Sequence, residues 1–131
     1  MKSRLFALFM VALVAAASSA EAQVEGPWRV SGKVASFAFT LNCDFKSDGG
    51  RLGGVCVDAS TSDPKVAPGK SHTLTAGQID GDKVSWTYQS SFLLSKFDVT
   101  YKGVLSGGKI TGTLSARGHE GPFTAVKRGA E

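Results

Sequence analysis

From Phe37 onward, apolar side chains fall on every second position, Phe37, Phe39, Leu41, Cys43 and Phe45, with Ala38, Thr40, Asn42 and Asp44 between them. A period of two places alternate residues on opposite faces, so this stretch predicts a strand with one buried face and one wet face. Asp48, Gly49, Gly50 and Arg51 follow, and glycine accepts the positive φ that a two-residue hairpin turn demands. With Gly49 and Gly50 as the turn, Asp48 faces Arg51. Counting back along both arms sets Cys43 opposite Cys56, on the face of Phe39 and Leu41. Directly opposed strand residues come close enough for a disulfide, worth about 3 kcal/mol for so short a loop in the chain-entropy treatment. Residues 37–57 therefore read as a cross-linked hairpin. In this register Val55 and Val57 point outward, and Gly53-Gly54 is the expected place for a bulge that resets the alternation.

The same period recurs along the chain. Trp28-Arg29-Val30 is the expected first strand, and residues 72–79 form a fourth with Leu74 and Ala76 on one face. Val84, Trp86 and Tyr88 mark a fifth strand, and Phe97, Val99, Tyr101, Gly103 and Leu105 a sixth. Ile110, Gly112 and Leu114 mark a seventh, and residues 123–128 an eighth. Residues 59–69 carry the longest loop signal, whereas residues 89–96, with Phe92-Leu93-Leu94, suit a strand end or a loop equally. Asp48-Gly-Gly-Arg-Leu, Asp80-Gly-Asp-Lys-Val and Ser106-Gly-Gly-Lys-Ile share one pattern, a tight turn, a basic residue and an apolar strand start. They fall at every second connection, so in a meander they close one end. The longer connections, near residues 31–33, 59–69, 89–96 and 117–122, gather at the other. The predicted fold is all-β, an eight-stranded antiparallel up-and-down barrel with one disulfide. A two-sheet sandwich satisfies the same alternation.

The N-terminus follows another rule. Lys2 and Arg4 precede an apolar run over residues 5–17, and Ala20-Glu21-Ala22 offers a small-residue cleavage site before Gln23. This is the pattern of a secretory signal peptide over residues 1–22, with a single domain over residues 23–131. It predicts a periplasmic or secreted protein, and two cysteines in an exported chain fit one disulfide. The net charge of +4 is spread singly, without a basic run. It reads as solvated surface, so neither a nucleic-acid partner nor stable membrane insertion is expected. The 16 glycines all lie beyond residue 22, which suits many short strands with tight turns.

With these elements in place, Gly26-x-Trp28 at the entrance and Lys127-Arg128 at the end of the last strand resemble the calycin group, meaning lipocalins and avidins. The resemblance implies that Trp28 packs across the barrel bottom near a basic residue of the last strand, Lys127 or Arg128. It implies fold rather than activity. The second lipocalin motif, Thr-Asp-Tyr, is absent, and Asp98-Val-Thr-Tyr101 holds those residue types in another order. The chain is also similar to small exported bacterial barrel proteins of unassigned role. Small periplasmic protease inhibitors share the G-x-W and one disulfide. That resemblance would make Gln23 to Gly26 an inhibitory segment, although a cysteine spacing of 13 is short for the group.

Catalytic chemistry is thin. His72 and His119 fall in or beside loops at the same end and read as exposed; no Cys, His or Asp cluster has metal-ligand spacing. Residues 64–71 resemble a phosphate loop only in Gly69-Lys70-Ser71, since Pro64 stands where its first glycine belongs. Asp58 and Asp98 read as lone surface or turn carboxylates. No catalytic residue, cofactor or metal is expected, and an enzyme would need a histidine and a carboxylate converging in a cleft. The remaining signal is aromatic. Trp86, Tyr88, Phe97 and Tyr101 are expected inside the barrel, either filling it or walling a cavity at the long-loop end. The sequence thus predicts a non-enzymatic binding module for a small apolar ligand. The alternative is a filled barrel that engages an envelope protein through its surface.

Overall fold

The computed structural model describes residues 19–129. The apolar run of the expected signal peptide lies outside them. A short helix, α1 (Ala20–Val24), leads into eight strands: β1 (Gly26–Val34), β2 (Phe37–Asp48), β3 (Arg51–Thr61), β4 (Ser71–Asp80), β5 (Lys83–Phe92), β6 (Ser95–Ser106), β7 (Lys109–Ala116) and β8 (His119–Lys127). Each strand pairs antiparallel with the next, and β1 pairs with β8, so the sheet closes into a barrel. Closure removes every sheet edge, and the sandwich alternative falls away. No helix among the described residues is long and apolar enough to cross a membrane.

The hairpin register is as the spacing predicts. Asp48 pairs with Arg51 and Cys43 with Cys56, and the two cysteines are joined. The expected irregularity at Gly53-Gly54 is present, and another lies within the hairpin ladder itself. The β2–β3 ladder shifts between Thr40 and Leu41, opposite Ala59. Gly53 and Gly54 interrupt the ladder to β4, which shifts between Arg51 and Val55. Gly54 adopts φ 132°, and a Cβ there would lie 2.0 Å from the Asp44 carbonyl oxygen, so only glycine fits. A third shift, between Leu74 and Ala76 in the β4–β5 ladder, turns Ala76 outward and corrects the expectation that both share a face.

Three expected long connections are also corrected. Residues 31–33 lie within β1, and the first turn is Ala35–Ser36. β5 and β6 run on through the ambiguous stretch and leave only Leu93–Leu94 between them. β7 and β8 are joined by Arg117–Gly118. The polar and aromatic residues around these turns suggested loops, but paired backbone extends the ladders to the last residue that can bond. Among the described residues, only 62–70 form a long connection.

Inward residues fill the half of the barrel nearest the glycine turns. Phe45 meets Trp86 at 4.9 Å between ring centres, Trp86 stacks on Tyr101 at 4.8 Å, and Phe123 sets its edge against both. The Trp86 Nε1–H is buried there without a hydrogen-bond partner among the described residues. Trp28 closes this end as the calycin resemblance implies. Its Nε1–H donates to the Val24 carbonyl at 2.7 Å, and the Lys127 ammonium lies 5.7 Å from its ring while donating to the Gln23 carbonyl. Arg128 is exposed, and its N–H donates to the Pro27 carbonyl. α1 caps the end: Val24 is fully buried, the Glu25 carboxylate accepts from the Ser47 N–H and hydroxyl, and Glu21 accepts from the Gly50 N–H. A cut between Ala22 and Gln23 would remove the Glu21 contact and keep the others.

Candidate functional site

The other half of the barrel is hollow. A cavity of about 660 Å³ opens between the 62–70 connection and the Ala35, Leu93 and Arg117 turns. Its walls are mostly apolar: Phe37, Phe39 and Leu41 from β2, Phe97 and Val99 from β6, Leu114 and Ala116 from β7, and Val66, Ala67 and Pro68 from the long connection. The strand alternation that fills the lower half lines the upper half, because inward side chains toward the mouth are spaced around an opening. Of the expected ligand residues, Tyr88 and Phe97 line the cavity. Trp86 and Tyr101 lie in the filled half beneath it, almost wholly buried.

A small polar group sits deep in this apolar chamber. His72, expected as an exposed loop residue, is buried on β4 and stacks on Tyr88 at 4.7 Å and 21°. Its Nε2 lies 3.1 Å from Asp58 Oδ1, and its Nδ1 lies 3.3 Å from the Gln89 carbonyl. The Tyr88 and Tyr101 hydroxyls are 2.7 Å apart. Burial pushes both phenols well above their ordinary range, and the charge of Asp58 pushes in the same direction. Both therefore stay protonated. Tyr101 is fully buried, with Tyr88 as its hydroxyl's partner. Its proton is best used toward Tyr88, which frees the Tyr88 proton for the cavity. Asp58, which meets His72 through one carboxylate oxygen, also lines the cavity.

The pair of histidine and carboxylate invites comparison with a catalytic dyad. A general base needs one ring nitrogen open to substrate, and both nitrogens of His72 already face acceptors. The arrangement holds the ring and Asp58 in place. His119, exposed at the start of β8, lines the mouth with Arg117, Lys70 and Asp63, away from this group. Asp98 is exposed on the outer face of β6.

Asp58 and His72 carried a legible signal. Asp58 lies two residues beyond inward Cys56 and pairs with inward Leu41, and His72 lies two before Leu74. Gln23, Val24 and Glu25, which the inhibitor resemblance would make a reaching segment, are held against Lys127, Trp28 and Ser47. Among known proteins, no family model matches the sequence and no curated protein matches it.

Proposed function

We propose that this barrel is an exported binding module that holds a small, largely apolar molecule, with one polar group of that molecule meeting Asp58 and Tyr88. The cavity carries the reading: its volume lies in the range of small-molecule sites, and apolar walls converge on a few polar groups. A donor beside a carboxylate suits a head that both accepts and donates, such as a hydroxyl or a primary amide. A carboxylate head would meet the charge of Asp58. Closure by Trp28 and Lys127 supports a calycin-like assignment, and the disulfide supports an oxidising compartment, periplasmic or extracellular. The surface-engagement alternative has less support, since the barrel is not filled and its candidate segment is held.

Native mass spectrometry of protein from its own exported fraction is the direct test, with a bound mass expected that leaves on denaturation. Displacement of a fluorescent apolar probe by decane, 1-decanol and decanoate then reads the head group. Decanol is expected to compete best, and Tyr88→Phe to weaken it by about fivefold to tenfold, the worth of one hydrogen bond. A wild-type protein that binds no apolar probe would sink the reading.

A further inference from the structure

The β5–β6 turn is built against ordinary turn chemistry. Two-residue hairpin turns favour Gly, Asn or Asp, because one or both central residues need positive φ. Here the turn is Leu93–Leu94, and Leu93 takes φ 56°. Neither side chain contributes to the core: Leu93 is 86% exposed, Leu94 102% and Phe92 before them 53%. Scattered exposed leucines are ordinary. Three adjacent large apolar residues at the tip of a hairpin form a patch that folding does not explain.

The surroundings of the tip identify what meets it. Lys96 pairs with Ser91 across the hairpin, and the Lys70 ammonium donates to the Ser91 hydroxyl at 2.7 Å. The Arg117 guanidinium lies 5.8 Å from the Phe92 ring and 5.3 Å from Phe97. No acidic residue occurs between Gln89 and Phe97. An apolar point flanked by Lys70, Lys96 and Arg117 matches an anionic lipid surface, where side chains enter the acyl boundary and the cations meet headgroups. It matches a second copy poorly, because a two-fold contact would set these cations against their own copies. A convex tip of three residues also falls short of the area a stable protein interface buries.

We propose that the Phe92–Leu93–Leu94 tip docks this barrel reversibly on an anionic lipid surface. Phe92, Ser91, Arg117 and Lys70 also line the cavity, so docking turns the mouth toward the lipid. The docking goes beyond the ligand-binding reading and does not depend on it.

Flotation with vesicles of an equal mixture of phosphatidylcholine and phosphatidylglycerol, against pure phosphatidylcholine, tests it on the full exported protein. Wild type is expected to float with the mixed vesicles and to be released by high salt. The double variant Leu93→Asn/Leu94→Ser should partition at least about tenfold more weakly, since two apolar side chains no longer leave water. Its denaturation midpoint should be unchanged or higher, because both residues are exposed and Asn accepts positive φ. Wild type that stays with the buffer, or a double variant that floats equally, would overturn the proposal. So would a vesicle-free dimer of the wild type that the double variant abolishes, which would assign the tip to self-association. Probe binding by the double variant without vesicles reads the cavity separately.

Discussion

The two ends of this barrel are made from the same eight strands by opposite means. At the closed end the turns use glycine where φ is positive, at Gly49, Gly50, Gly81, Gly107 and Gly108. α1 and Trp28 seal that end over a stack of aromatic rings. At the mouth left-handed positions fall on Ala35, Leu93 and Arg117 as well as on Gly69 and Gly118, and the three non-glycine residues each cost about 1–2 kcal/mol relative to glycine's freedom. The interior there is an apolar-walled cavity, and its rim carries Phe92, Lys70, Arg117, His119 and Asp63. One end supplies stability and the other consumes it. Among the described residues, positive φ at a non-glycine residue occurs only where the cavity opens, which is the kind of strain that functional sites keep.

Substitutions break this contrast in order of size. Trp28→Ala removes a fully buried indole, its bond to Val24 and the cation above it. It should lower unfolding free energy by about 3–5 kcal/mol in a denaturant titration, whereas Phe97→Ala at the mouth should weaken probe binding more than stability. Asp58→Ala leaves the His72 Nε2 without its partner in a mostly apolar wall; a loss of about 1–3 kcal/mol is expected in the same titration. Leu93→Gly should move stability the other way, a gain of about 0.5–1 kcal/mol read as a higher midpoint, because the turn loses its strain. The smallest effect lies at the seal. Bonds from the Ser47 N–H, then its hydroxyl, hold the Glu25 carboxyl below its ordinary value of 4.5, with Lys127 adding to them. A depressed folded-state pKa gives stability that is present above the unfolded value and lost as pH falls through the folded one. The midpoint should therefore slip below about pH 4.5, and Glu25→Gln should flatten that slope.

The closed end was legible because its rules are local. Period-two alternation, glycine at the tight turns and opposed cysteines each follow from short spacing, and the calycin resemblance pointed Trp28 at Lys127 or Arg128, of which Lys127 lies over the ring. The mouth was harder to read for physical reasons. Ala35, Leu93 and Arg117 occupy positions that sequence rules reserve for glycine or asparagine, so their turns looked like loops. The bulges at Ala59 and Thr75 depend on how neighbouring strands shear past one another when the barrel closes. His72 and Asp58 looked like surface residues by type, and only their parity with Leu74 and Cys56 places them inside. Whether inward aromatics fill or line a barrel depends on their height along its axis, which alternation does not encode.

Asp58 occupies an unusual position in the chain. Its own N–H donates to the Lys70 carbonyl, and its carbonyl accepts from the Gly69 N–H, so its peptide groups fasten the far stem of the 62–70 connection. Its side chain meanwhile reaches the polar floor of the cavity. A molecule that bonded the carboxylate would therefore load the stem of the long connection beside the opening. Such loading is expected to change the amide protection of Gly69 and Asp58, which hydrogen exchange reads from outside the barrel.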